Sequence, residues 1–231
     1  MEKFALYFIL FMIYSVIGWL IEIVAVGTEK KKFINRGFMI GPYLPIYGSS
    51  SIIMIFYLNH YKDNIITVFL LAVIVCSIME YLVSYIMEKM FNARWWDYST
   101  RKFNINGRVC LTNAFAFGLL GVLLIYIVNP FLEEILFKLN DNVLILISLW
   151  LFVVFITDLV ISLDVTFKLK NKINKLKKDN TEEFNIKVKE MIESKILNRR
   201  IIKAFPKLKN NIFIDTVNNI KREIEDITNK K

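Results

Sequence analysis

The sequence predicts an all-α protein: a polytopic transmembrane helical bundle of about five helices with a cytoplasmic helical tail. Three observations predict it. Hydrophobic residues make up 55% of the 231, above the share in an ordinary soluble domain, and they are gathered into uninterrupted runs. Five runs, at about 4–26, 38–58, 65–87, 109–129 and 143–163, approach the roughly 20 residues that a helix needs to cross about 30 Å of hydrocarbon. The net charge of +9 is confined to one end: residues 165–231 carry 18 Lys or Arg against 9 Asp or Glu, whereas residues 1–164 carry 12 of each. The chain therefore divides into a transmembrane domain over 1–165 and a basic tail over 166–231.

The first run has one positive charge ahead of it, and Ala25-Val26-Gly27 imitates a signal-peptidase site only loosely, so a retained helix is expected. Ser15, Gly18, Trp19 and Glu22 recur at steps of three and four, which puts a small and polar stripe on one face. The basic connection 27–37, with Lys30, Lys31, Lys32 and Arg36, is assigned to the cytoplasm by the positive-inside rule. Gly41-Pro42-Tyr43-Leu44-Pro45-Ile46-Tyr47-Gly48 crowds two prolines and two glycines into the start of the second run. Proline removes a donor and clashes with the turn before it, so this portion is expected to be irregular. At membrane depth such backbone must be buried in protein or line a cavity.

The third run carries Ser77, Glu80, Tyr81, Ser84 and Glu88 at helical spacing, a polar face on an apolar helix. The fourth contains Asn113 near its start and then Ala114, Gly118 and Gly121, small residues that let a neighbouring helix approach. Residues 130–142 are net acidic and fit an external connection, and the fifth run holds Asp158. Five spans with the N-terminus outside and the C-terminus in the cytoplasm satisfy the charges of every loop.

Between the third and fourth runs, Glu88 to Leu111 packs Phe91, Trp95, Trp96, Tyr98 and Phe103 among Arg94, Arg101, Lys102, Arg108, Glu88 and Asp97. Aromatic rings with one wet edge, interleaved with arginine, suit the boundary of hydrocarbon and water. In the tail, Asn180-Thr-Glu-Glu183 resembles a capping box and Pro206 would stop the helix it starts. Phe213, Val217, Ile220, Ile224 and Ile227 form a short seam suited to a partner helix. Beside a membrane, the basic tail is read as contacting anionic lipid or a partner helix rather than nucleic acid.

Several chemistries are excluded. Cys76 and Cys110 have no CxxC or Cys/His spacing and His60 is the single histidine, so no metal site or cofactor is expected. Gly41 to Gly48 has no Lys-Ser or Lys-Thr after it and cannot cradle a nucleotide in the Walker manner. No catalytic set is assigned. The intramembrane acids Glu22, Glu80 and Asp158, with Asn113, Arg36, Gly41, Pro42 and Pro45, are candidates for a substrate vestibule. The competing reading pairs those acids with arginines as staples between loop and bundle. Arg94, Trp95, Trp96, Asp97, Tyr98, Asn104, Gly107 and Arg108 are the candidates on the interfacial loop.

The blocks Asn35-Arg-Gly-Phe-Met-Ile-Gly-Pro-Tyr-Leu-Pro-Ile-Tyr-Gly48 and Arg94-Trp-Trp-Asp-Tyr-Ser99, continued by Phe103-Asn104 and Gly107-Arg108-Val-Cys-Leu111, resemble the bacterial family called putative ABC-transporter type IV, or putative ABC transporter permease. The resemblance covers approximately residues 4–165. It implies a multi-pass protein of the bacterial inner membrane, a permease by name, with any ATPase on a separate chain. Five spans are few for a complete pathway, so self-association or another membrane subunit is implied. Two other classes compete: a membrane-embedded enzyme acting on lipid through Glu80, Asp97 and Arg108, and a sensor or scaffold that signals through the tail. The topology is testable by cysteine labelling. A cysteine at Ser99 should react with an impermeant maleimide only after the cell is opened; labelling of intact cells would invert the assignment.

Overall fold

The computed structural model describes residues 2–30, 37–91 and 94–176 of the chain. Arg36 and most of the tail, with its capping box and apolar seam, lie outside the described residues. Helix α1 covers Glu2–Lys30, α2 Pro45–Leu58, α3 Ile65–Phe91, α4 Leu111–Leu123, α5 Asn129–Leu136 and α6 Asp141–Leu176. A two-stranded hairpin of β1 (Asn104–Ile105) and β2 (Val109–Cys110) lies between α3 and α4. Four stretches are long and apolar enough to cross a membrane: Lys3–Ala25, Ile65–Phe91, Leu111–Leu136 and Asp141–Lys168. This is the build of a multi-pass membrane protein.

The second expected span is shorter as a helix than its apolar run. Only Pro45–Leu58 is helical, 14 residues or about 21 Å at 1.5 Å per residue, because Pro42 and Pro45 prevent the helix from starting earlier. The chain from Gly37 to Leu44 is extended or bent instead. Phe38 packs on Phe91 near the end of α3, Leu44 N donates to the Ser15 carbonyl in the middle of α1, and Phe56 meets Tyr7 near its start. Bent stretch and helix together thus run back along α1 in the opposite sense.

The fourth span continues past its expected end at 129 and the fifth begins earlier and ends later than 143–163. A π turn at Leu124–Val128 joins α4 to α5 without a break. The carbonyl that the Pro130 ring would strike belongs to Tyr126, inside that widened turn, so the helix accommodates proline rather than stopping at it.

Small residues set how closely the rods approach. A Cβ added at Gly48 would overlap Ser15 Oγ and the Phe11 carbonyl oxygen on α1, and one at Gly121 would overlap Ala72 Cβ on α3. Behind these contacts lies a core that includes Leu10, Leu58, Val68 and Ile125, all almost fully buried. Of an apolar 18-residue stretch of α1, 39% is buried, against 11% for the corresponding stretch of α6, so α1 is the central rod and α6 the peripheral one. Phe152 and Phe155 of α6 pack on Phe8 and Phe11 of α1, while Leu146, Trp150 and Val153 face outward, as lipid contact requires. Gly48→Val should cost about 1–3 kcal/mol by overpacking, read as a lower melting temperature in detergent. Gly27→Ala, inside α1 at a position with nothing within 4 Å, should not lower the melting temperature and should raise it slightly, since alanine favours the helix by about 0.5–1 kcal/mol over glycine.

Candidate functional site

A cavity of about 420 Å³ opens among α1, α2, α3, α4, α6, the bent stretch before α2 and the segment that follows α3. Apolar side chains make most of its wall. Glu22, Tyr47, Glu80 and Tyr98 interrupt it as a cluster of two carboxyls and two phenols. Gly18 explains the first pair: a side chain there would overlap the Tyr47 ring, so its absence lets that ring lie on α1, one turn before Glu22. The Tyr47 hydroxyl then donates to Glu22 Oε1 at 3.0 Å. Across the cavity, Tyr98 donates to Glu80 Oε1 at 3.1 Å. Glu80 is 5% exposed and its Oε2 has no hydrogen-bond partner. The Asn113 amide and the Glu22 carboxyl both lie near enough to act on Glu80.

The polar face of α3 is the track on which the following loop docks. Glu80, Ser84 and Glu88 are four residues apart and share that face. Tyr98 takes Glu80, while Arg108 donates from Nη1 to Ser84 Oγ at 3.2 Å and pairs from Nη2 with Glu88 Oε2 at 2.7 Å. Its guanidinium also lies over the rings of Tyr81 and Tyr85, 5.6 and 5.4 Å from their centroids. Arg94 joins Glu88 through Nε at 3.2 Å and approaches Asp97 at 3.6 Å. Both arginines are therefore engaged away from the cavity, and neither lines it.

The loop itself is a built element. Asn106 and Gly107 both have positive φ, 52° and 67°, and Arg108 N donates back to the Ile105 carbonyl, a tight turn of the kind Asn-Gly favours. A side chain at Gly107 would crowd Asp97 Oδ1. Asn104 accepts from Gly107 N and donates to the carbonyls of Ser99 and Arg101, and Asp97 accepts from Ser99 N. The tryptophans turn inward rather than toward lipid. Trp95 is 4% exposed and meets Phe38 and Phe91 edge to face, and Trp96 Nε1 donates to the Arg108 carbonyl at 2.9 Å. Trp95, Trp96 and Tyr98 all line the cavity, so the loop closes one side of it.

Asp158 stands apart from the other two acids and does not line the cavity. Its carboxyl accepts from Ile40 N at 2.9 Å, Gly41 N at 2.7 Å, Tyr43 Oη at 2.5 Å and Ser162 Oγ at 2.8 Å. It holds the bent 37–44 stretch, including Gly41 and Pro42, against α6, and Pro45 at the start of α2 reaches the cavity wall. Sequence reasoning missed the partners: Tyr47 and Tyr43, both inside the Pro/Gly block, and Glu88, which anchors two arginines. The Asn106-Gly107 pair was a legible turn signal. Tyr14, which donates to the fully buried Asn129 at 2.8 Å, had no signal, because the two are 115 residues apart.

A family model described as Putative ABC-transporter type IV matches residues 9–163, which hold the cavity, the loop and the acids. No curated protein and no solved structure matches the chain.

Arg108→Ala removes the strut from the α3 track and leaves Glu88 with Arg94 alone. The loss should be about 1–3 kcal/mol and should appear as faster protease cleavage within 99–106, with the helices still protected; unchanged cleavage would mean that the loop is held some other way.

Proposed function

From the premise that the chain belongs to the Putative ABC-transporter type IV family, we propose that it is a permease-like membrane subunit that receives its substrate in the cavity lined by Glu22 and Glu80. The observation that carries this reading is a half-open, mostly apolar cavity among the helices with two carboxyls on its wall. An ionisable group within a membrane span is costly and is normally kept there for a substrate, an ion or a proton. Closure of one side by a docked loop gives the space a removable wall, which alternating access requires. The energy source is an ATPase on a separate chain, since Gly41–Gly48 lacks the residues that hold a nucleotide. Self-association or a second membrane subunit completes the pathway, and the basic tail contacts anionic lipid or a partner helix. The protein sits in the bacterial inner membrane with its C-terminus in the cytoplasm.

A lipid-modifying enzyme built on Glu80, Asp97 and Arg108 is less well supported. Asp97 and Arg108 are held in the ion-pair set outside the cavity, so neither faces the space where Glu80 sits. The transport reading is tested by purification from native membranes under mild detergent. An ATP-hydrolysing chain should accompany the protein, and Glu80→Gln should keep that complex while abolishing its ATP-driven uptake. Full activity in Glu80→Gln, or purification without any ATPase, would overturn it.

A further inference from the structure

Resting on the transport reading, we propose that the cavity selects amphiphilic cations: molecules with an apolar body and a protonated amine that donates to the carboxyl of Glu80. Size, wall chemistry and one unmet hydrogen bond point to this class together. The cavity, at about 420 Å³, falls in the range of sites that enclose small organic ligands. Its wall includes the rings of Trp95, Trp96, Tyr98, Tyr47 and Phe117, a residue type whose face attracts a cation and whose carbons pack on an apolar chain.

No lysine, arginine or histidine lines the cavity among the described residues. The loop brings two arginines to the neighbourhood, yet Glu88, Asp97 and Ser84 hold both outside. The ion-pair set thus keeps protein cations out of a space that contains protein anions. An anionic ligand would meet two carboxyls there and no described positive group.

Glu80 supplies the independent mark of a ligand. It is 5% exposed, it stands on the cavity wall, one oxygen takes the Tyr98 hydroxyl, and the other makes no hydrogen bond although the Asn113 amide lies near enough to act on the carboxyl. Buried polar atoms are rarely left so. Glu22, close by, repels a second negative charge at this spot. A donor that is also positive, an ammonium N–H, meets both the carboxyl that Tyr98 holds and the repulsion between the two acids; a neutral alcohol meets only the first. Tyr98 ties the same carboxyl to the loop, so a ligand amine competes with the contact that closes the cavity.

The test uses three probes of one chain length and different charge: octylamine, octanol and octanoate. Purified full-length protein in lipid nanodiscs is titrated with each, protein-free nanodiscs are subtracted, and tryptophan emission is followed because Trp95 and Trp96 are on the wall. Octylamine should saturate at a concentration about tenfold or more below octanol, the difference expected for one charge-assisted hydrogen bond, and octanoate should not saturate. Glu80→Gln should remove the advantage of amine over alcohol while leaving octanol binding intact, which also shows that the variant is folded. Glu22→Gln should reduce the advantage without removing it. Equal binding of all three probes, or a preference for octanoate, would overturn the cation proposal while sparing the cavity as the substrate site. Failure of every probe to saturate would overturn both.

Discussion

A stretch of non-helical backbone in the interior of a membrane bundle is permitted only if its donors are answered from within the protein. Here Asp158 answers two of them, and the carbonyls of Gly41 and Ser15 answer Tyr43 N and Leu44 N. Four hydrogen bonds converge on the Asp158 carboxyl, from Ile40 N, Gly41 N, Tyr43 Oη and Ser162 Oγ. Without that acceptor two backbone N–H groups would be left unpaired, at a cost of roughly 1–3 kcal/mol each. With it, the chain can stay bent through Leu44 and begin α2 beside the middle of α1, where Leu44 N meets the Ser15 carbonyl. That starting point places Tyr47 against Gly18 and Glu22, and so forms one wall of the cavity.

The acids of the bundle divide by task. Asp158 serves backbone, Glu88 serves two arginines, and Glu22 and Glu80 each take a phenolic hydroxyl at the cavity wall. The division follows from what each acid can reach. Glu88 lies at the end of α3 where Arg94 and Arg108 arrive, and Glu80 lies two turns deeper, where Tyr98 meets it. Ion pairing near the helix end and an incompletely satisfied carboxyl in the interior are thus two levels of one helical stripe. The first holds the loop in place, and the second faces what the loop covers.

Helix spacing is the remaining determinant. Gly48, Gly18, Gly118 and Gly121 remove side chains where rods cross, so α2 nests on α1 and α4 on α3. Tight pairing on those two seams leaves the wider gap between them. A cavity bounded by α1, α2, α3, α4 and α6 survives because the glycines draw α2 onto α1 and α4 onto α3 rather than all helices into one uniform bundle.

The sequence by itself determined the membrane class, the helical content, the irregular Pro/Gly block and the family, because apolar run length and proline chemistry are local properties. It also marked the α3 stripe, since a period of 3.6 residues is visible without a partner. Boundaries were less legible: the π turn that carries the helix past Pro130, and the seven residues by which the second helix falls short of its apolar run, depend on what neighbouring rods accept. Only the tertiary structure decided which acid does what. Asp158 and Glu80 look alike in the chain, each a lone carboxyl in an apolar run, and their separation into a backbone clamp and a cavity wall arises from contacts with Gly41 and Tyr98, which are 117 and 18 residues away respectively. Charge and depth can be read along one helix; the partner that neutralises a charge is set by folding.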